Sequence, residues 1–269
     1  MAAKRPIITL TTDFGLQDHF VGTMKGVIAT INPEALVIDI THHIAPHDIF
    51  QAAFLVKNFY PYFPPTTIHL VIVDPGVGTN RKALVVSTEK GYFVAPDNGV
   101  LSYLFAEEQI GEVREITAEH YFLKPRTGTF DGRDVFAPVA AWMSKGVSMS
   151  SFGEVLTDYK KYDLPQPTPA NQGVWRCKIL YVDRFGNLVS NLSREQFKEY
   201  LDASEKRRFA FQVGEQTVSK ISNSYSEGEK NELLVLFGSS GFLEFSVNRG
   251  NASKLTGLVA GKDILFKVM

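Results

Sequence analysis

The sequence predicts a mixed α/β fold: an N-terminal, mostly parallel sheet flanked by helices, then a smaller domain made of an antiparallel sheet or barrel. Three observations predict it. Thr67 to Val73 is a nearly unbroken β-branched and apolar run, as expected of a strand covered on both faces in the middle of a parallel sheet. From Ile7 to Val73, strand-like and helix-like segments alternate, which argues for parallel strands joined by crossover helices. Beyond Gly173 the pattern changes to short strands separated by turn signals. The expected division is an α/β domain over 1–165, a proline-rich linker over 166–173 and a β domain over 174–269.

Ile7 to Thr12 reads as the first strand, and it delivers an acid, Asp13, to its C-terminal end. Val21, Met24, Val27, Ile28 and Ile31 then fall at helical spacing until Asn32-Pro33 stops them. Leu36 to Ile40 is the second strand. A loop with His42, His43 and His47 follows, and Asp48 is placed to cap a helix that runs to about Tyr60. The Thr67 to Val73 strand stops at Asp74-Pro75-Gly76. Asp74 therefore enters a loop at the sheet edge where open α/β sheets bind ligands. Arg81 lies on the same glycine loop. The two can form a preorganised pair; the alternative is a turn-capping Asp beside a solvated Arg. Ala83 to Thr88 and Tyr92 to Ala95 read as a hairpin turning at Lys90-Gly91. Asn98 is expected to cap a helix through Leu101, Leu104 and Phe105, and Val113 to Ile116 reads as a strand. Thr129 to Asp134 opens a helix through Val135, Val139 and Trp142, with two first-turn carboxylates that suit the helix dipole. In the second domain, Val174 to Val182, Phe209 to Val213, Leu233 to Phe237, Phe242 to Val247 and Ile264 to Val268 read as strands. Ser193 to Leu201 reads as a helix.

Composition narrows the function. The chain has 269 residues, 44% hydrophobic and 21% charged, which is ordinary for a soluble globular protein. A net charge of -1 points to no nucleic-acid or membrane partner. The single cysteine, Cys177, excludes an internal disulfide framework and fits a cytoplasmic setting. Lys4-Arg5 precede only a short apolar run, Ile7 to Leu10, too short for a signal-peptide core or a membrane span. The loop histidines come without a Cys cluster or HExxH helix, so no metal is expected. Gly76-Val77-Gly78 is neither a Walker loop nor a complete GxGxxG, and there is no GxSxG elbow.

What remains is acids at loops: Asp13, Asp74 and Asp131, where an α/β sheet gathers them. Asp183-Arg184-Phe185-Gly186-Asn187 adds an acid, an aromatic and an amide in one turn, and Ser239 and Ser240 add hydroxyls in another. Carboxylates suit ribose hydroxyls or an ammonium, an aromatic suits a base face, and Asn suits the edge of adenine. Singly, each segment is more readily a β-turn; their combination points to a nucleoside.

Thr12 to Gly15, Val73 to Gly78, Arg81, Ala95 to Gly99, Gly132 to Pro138, Asp183 to Asn187 and Asn248 to Ala252 together resemble the S-adenosyl-L-methionine hydroxide adenosyltransferase family. These are adenosine-forming hydrolases, related to the bacterial fluorinase and chlorinase. The resemblance spans nearly the whole chain. It implies a C-terminal β-barrel-like domain and a homotrimer whose substrate lies between the N-terminal domain of one subunit and the C-terminal domain of its neighbour. It implies that Asp13 holds the ribose hydroxyls and Asp183 the methionine ammonium. Phe185, Asn187 and Tyr225 would surround adenine, Ser239 and Ser240 hold the methionine carboxylate, and Asn251 and Ala252 meet the adenine edge. Asp74 and Arg81 match the first two members of the family's Asp-Arg-His water-handling triad. The third departs: Phe130-Asp131-Gly132-Arg133-Asp134 stands where the family has Phe-His-Gly-Arg-Asp.

The expected reaction is hydrolysis of S-adenosyl-L-methionine to adenosine and L-methionine, by in-line attack of water or hydroxide at the ribose C5′, with no cofactor. Two carboxylates flanking one buried Arg are expected to couple, with one pKa raised. Binding is then expected to survive, with slower turnover and an altered pH profile. Halogenation is disfavoured because Val77 and Gly132 offer no hydroxyl where the halogenases use one. The alternatives are a catalytically impaired S-adenosylmethionine- or adenosine-binding protein, because Asp131 replaces the family His, and an α/β enzyme acting on another nucleoside.

Overall fold

The computed structural model describes residues 5–203 and 208–269; Lys4 lies outside them. The chain divides between Asp163 and Leu164 into two compact units.

The first unit contains β1 (Ile7–Thr12), α1 (Phe20–Ile31), β2 (Leu36–Thr41), α2 (Ile49–Phe59), β3 (Ile68–Ile72), β4 (Ala83–Thr88), β5 (Gly91–Pro96), α3 (Ser102–Glu107), β6 (Ile110–Glu115) and α4 (Ala137–Ser144). Its strands form one sheet in the order β2-β1-β3-β5-β4-β6. Pairing is parallel from β2 through β1 and β3 to β5, and antiparallel where β4 joins β5 and β6. The sheet is thus mixed, its antiparallel part being the expected hairpin and the strand beside it. All five residues of β3 are buried, and alternate side chains go to opposite faces. Leu70 and Ile72 pack with Met24, Ile28, Val139 and Ala140 under α1 and α4. Val71 and Val73 pack with Ala52, Val56 and Leu104 under α2 and α3. This two-sided burial explains the unbroken apolar run and fixes β3 as the rigid support of Asp74.

Local chemistry accounts for the helix starts. The Asp48 carboxylate accepts from Gln51 N at 2.8 Å, so the expected cap of α2 is present. Asn98 does not cap α3, which starts after Leu101. Instead it donates to Val73 O at 2.8 Å and accepts from Val100 N, tying the loop after β5 to the end of β3. The segment expected to open α4 begins with a π-helical turn, Gly132–Phe136, and the Asp131 side chain caps nothing.

The second unit contains β7 (Thr168–Asn171), β8 (Val174–Val182), β9 (Leu188–Ser193), α5 (Arg194–Asp202), β10 (Phe209–Val213), β11 (Gln216–Val218), β12 (Leu233–Phe237), β13 (Phe242–Val247), α6 (Ala252–Thr256) and β14 (Asp263–Val268). The order β11-β10-β14-β8-β9-β13-β12 is antiparallel throughout, with β7 paired to β8. The terminal strands β11 and β12 approach one another, so the sheet is barrel-like and nearly closed. Phe211, Phe245 and Phe266 fill its interior. The stretch expected as a linker contributes β7. The strand β9 carries Ser190 and Asn191 among its apolar residues; both are buried and bonded, Ser190 Oγ to Leu243 O and Asn191 Oδ1 from Lys178 N. Polar residues satisfied in this way hide a buried strand from a hydrophobic pattern.

Candidate active site

The strand β3 ends in a knot of charge. Arg81 Nε donates to both oxygens of Asp74 at 3.1 and 2.9 Å, and its Nη2 donates to Asp74 Oδ2 at 2.6 Å. The same Nη2 donates to Asp131 Oδ2 at 2.7 Å. Asp131 also takes a two-pronged contact from Arg126, Nε to Oδ1 and Nη2 to Oδ2, both at 3.0 Å. Side-chain exposures are 6% for Arg81 and Asp74 and 1% for Asp131, against 44% for Arg126. The Arg81 guanidinium lies over the Phe136 ring, 5.1 Å from its centre.

The expected rise in a carboxylate pKa does not occur at Asp131. Burial favours its neutral form, but hydrogen bonds from Arg126 and Arg81 outweigh burial and hold the carboxyl below its ordinary 3.8. Burial likewise opposes the charge of Arg81, and Asp74 and Asp131 more than offset it, so Arg81 stays a guanidinium.

Two loops carry the knot and brace one another. Gly78 has φ +80, and a Cβ there would lie 2.8 Å from Gly128 O, so only glycine lets the loop after β3 approach the loop before Asp131 so closely. Asp134 is wholly buried and accepts from Thr127 N and Thr127 Oγ1, both at 2.8 Å, and from Arg133 Nε at 2.6 Å. That anchor fixes Thr127 and so places Arg126, its neighbour. The π turn follows Asp131 and carries Asp134, which contact the adjacent residues Arg126 and Thr127, and such turns are common at functional sites.

Asp74 and Asp131 open onto a cavity of about 150 Å³ lined also by Phe14, Phe20, Ile72, Val77 and Phe130. The three phenylalanines pack on one another with ring centres 5.2 to 5.8 Å apart. Asp13 precedes Phe14 and accepts from His47 N at 2.8 Å, which joins the loops after β1 and β2. A larger cavity, about 610 Å³, lies at the opposite ends of β1 and β3 beside Arg5, Ile7 and Ile68 and contains no carboxylate. Of the loop histidines, His42 is buried against Thr12 Oγ1 at 2.9 Å and Asp39 Oδ1 at 3.1 Å, while His43 and His47 are exposed.

In the second unit the turn between β8 and β9 is closed by its own acid. Asp183 accepts from Phe185 N, Asn187 N and Asn187 Nδ2 at 2.8 to 2.9 Å. Phe185 is left 74% exposed. Gly186 has φ +86 and sits where a Cβ would be 2.2 Å from the Asn251 side chain, and Gly186 O accepts from Ser253 N, so this turn and the start of α6 form one surface. Asn251 caps α6 through Lys254 N, and Ala252 is buried. Tyr225 donates to Glu244 Oε1 at 2.7 Å, and Ser246 Oγ donates to the same oxygen. Ser239 is exposed, whereas Ser240 Oγ is buried without a hydrogen-bond partner. The structure thus gathers Asp74, Arg81 and Asp131 in the first unit, and Asp183, Phe185, Asn187, Asn251 and Ala252 in the second. Sequence reading missed Arg126, the Phe14–Phe20–Phe130 cluster and the buried Glu244. Only the aromatic spacing around Asp13 and Asp131 offered a signal; Arg126 sits in a loop whose path nothing in the sequence reveals.

An α/β unit with acids gathered at the C-terminal edge of β3, followed in the chain by an antiparallel β unit, defines a two-domain α/β-plus-β architecture. Residues 8–153 match the model of the SAM hydroxide adenosyltransferase N-terminal domain, and residues 177–265 match that of the C-terminal domain. The chain belongs to this family. It is 38% identical over 256 residues to a Methanocaldococcus jannaschii protein named (R)-S-adenosyl-L-methionine hydrolase, covering 93% of this chain and 91% of that one. A protein of the same name from Salinispora tropica is 36% identical over 264 residues, covering 96% and 97%. Relatives named fluorinase lie further off, at 22% to 23% identity. The crystal structure of an uncharacterised conserved protein from Thermotoga maritima superposes with a TM-score of 0.89 at 37% identity, covering 97% and 99%. Among the described residues no helix is long and apolar enough to cross a membrane.

The depressed pKa of Asp131 sets a sign for stability. Its charge favours the folded state above its unfolded value near 3.8, and that benefit is lost as pH falls through the lower folded value. Asp131→Asn is therefore expected to melt below the parent at neutral pH, with the gap closing below about pH 4. Thermal melts across pH check this; a pH-independent gap contradicts it.

Proposed function

We propose that this protein hydrolyses S-adenosyl-L-methionine to adenosine and L-methionine. The observation that carries the reading is the buried Asp74–Arg81–Asp131 group, whose two carboxylates line a small apolar cavity, in a chain whose relatives across nearly its full length are named (R)-S-adenosyl-L-methionine hydrolase.

The chemistry suits such a site. The sulfonium leaves as neutral methionine, so no general acid and no cofactor is required. Water attacks C5′ in line with the departing sulfur; one C–O bond forms as one C–S bond breaks. The positive charge lost by sulfur reappears as one proton released per turnover. The protein must orient the water, keep other water away and accept or pass on that proton. In this reading Arg81, permanently cationic, orients the water and favours hydroxide, with Asp74 fixing the guanidinium. Asp131, ionised well below neutral pH, holds Arg81 from the other side and attracts the departing proton. Phe14, Phe20 and Phe130 exclude bulk water and present ring faces suited to a sulfonium. Asp13 binds the ribose hydroxyls, and Asp183, Phe185, Asn187, Tyr225, Ser239, Ser240, Asn251 and Ala252 bind the adenine and methionine ends. Ser240 Oγ, buried and unpaired, is suited to a carboxylate. We further propose a cytoplasmic homotrimer with active sites shared between subunits, as the family resemblance implies.

Incubation with each sulfonium epimer of the substrate, with a heat-denatured blank, is expected to yield equimolar adenosine and methionine, faster from the (R) epimer. Ligand released from the blank without turnover would favour a binder instead. No ionisation of Asp131 is expected in kcat between pH 5 and 8, whereas Asp131→His is expected to introduce one near the ordinary histidine value of about 6.5. Identical profiles contradict the assigned role. Shared sites predict that inactive Arg81→Met and Asp183→Ala proteins regain activity when unfolded and refolded together; a mixture that stays inactive opposes the shared site.

A further inference from the structure

Four charged groups meet in this site, and three of them account for only part of it. Arg81 already spends Nε and Nη2 on Asp74 and shares Nη2 with Asp131. With Arg81 alone, two buried carboxylates would share one guanidinium and leave a net negative charge out of water. Such a pair does not stay doubly ionised: desolvation and like-charge repulsion drive a proton onto one of them. Protonated Asp131 would attract neither Arg81 nor the proton that the reaction releases. The fourth group removes the conflict. Arg126 contacts both Asp131 oxygens in a two-pronged geometry, and it makes the set of Asp74, Asp131, Arg81 and Arg126 neutral.

The placement of Arg126 is built into the fold. Its loop is held by Thr127 on the buried Asp134 and by Leu123 N on Asp134 O at 2.9 Å. Its guanidinium lies 5.9 Å from the centre of the Phe122 ring, and Glu119 adds a favourable charge from the preceding turn. Arg126 is 44% exposed and, within this set, hydrogen-bonds only to Asp131, so it acts on the reaction through Asp131.

Building on the hydrolase reading, we propose that Arg126 is a positioning residue of the reaction: it keeps Asp131 ionised and aimed at Arg81, and so makes an aspartate workable at this position. The charged groups facing Asp131 are Arg81 and, through it, Asp74 from the loop after β3, and Arg126 with Glu119 behind it from the loop preceding Asp131. Arg133 is spent on Asp134.

The test combines kinetics with a readout that needs no substrate. The titration of Asp131 is followed by carbon-13 NMR of aspartate carboxyls in parent and Arg126→Met proteins, with Asp131→Asn assigning the signal. In the parent the carboxyl is expected to titrate below the ordinary aspartate value of 3.8, and in Arg126→Met above it. In Arg126→Met, kcat is expected to fall about tenfold one pH unit below the shifted Asp131 midpoint with KM within about twofold, and to recover as pH rises. Arg126→Lys is expected to restore part of the loss, and Arg126→Met is expected to add nothing in the Asp131→Asn background. An unmoved titration, an unchanged pH–rate profile or an equal loss in both backgrounds overturns the proposal. If the NMR shift appears but the parent forms no adenosine, the charge pairing stands and it is the hydrolase reading, with Arg126's place in it, that fails.

Discussion

A buried guanidinium with carboxylates on two sides is the constraint on which the active-site end of the first unit depends. Arg81 is 6% exposed in its side chain, and a lone charge at that depth is not tolerated. Asp74 follows directly on Val73 at the end of the most buried strand, so its position is inherited from the sheet. Arg81 reaches back to it along a loop that Gly78 lets pass tightly against Gly128. Asp131 is brought in by the π turn ahead of α4, and Arg126 by a loop pinned on Asp134. Removing Arg81 leaves Asp74 buried and unpaired, which costs more than the pair contributes. The loops are therefore interdependent, and their rigidity follows from electrostatics as much as from packing.

That rigidity fits a reaction that asks little of acids and bases. A sulfonium substrate carries its own leaving group, so the barrier is lowered mainly by aligning an oxygen with C5′ and by dryness around it. A permanently charged Arg81 and an Asp131 held below its ordinary pKa supply fixed charges. Phe14, Phe20 and Phe130 line the cavity with apolar rings suited to that dryness. The second unit offers a different chemistry: an exposed ring at Phe185, amides at Asn187 and Asn251, and a buried unpaired hydroxyl at Ser240. Its Asp183 is already spent on closing the turn that presents them, which leaves only its remaining lone pairs for a ligand cation.

Much of this was legible in the sequence, and the limits have physical reasons. The run ending at Val73 announced a central strand because burial on both faces leaves a continuous apolar record. The cap at Asp48 was readable because it acts within one turn. Asn98 resembled a cap but is used across the sheet, on Val73 O, a partner 25 residues away that no local rule identifies. The polar strand β9 was missed because its Ser and Asn are satisfied by distant backbone. Arg126 was missed for the same reason: its value lies in neutralising a carboxylate whose burial is decided by the tertiary fold. Without it, coupled carboxylates sharing one Arg were expected to raise a pKa; with it, the Asp131 carboxyl is lowered.

The most direct test of the central claim is turnover of S-adenosyl-L-methionine in oxygen-18 water. Attack of a positioned water at C5′ predicts adenosine carrying one heavy oxygen, at the 5′-hydroxyl, with methionine unlabelled and formed in equal amount. Adenosine without the label, label in methionine, or no adenosine above a denatured blank would contradict the account.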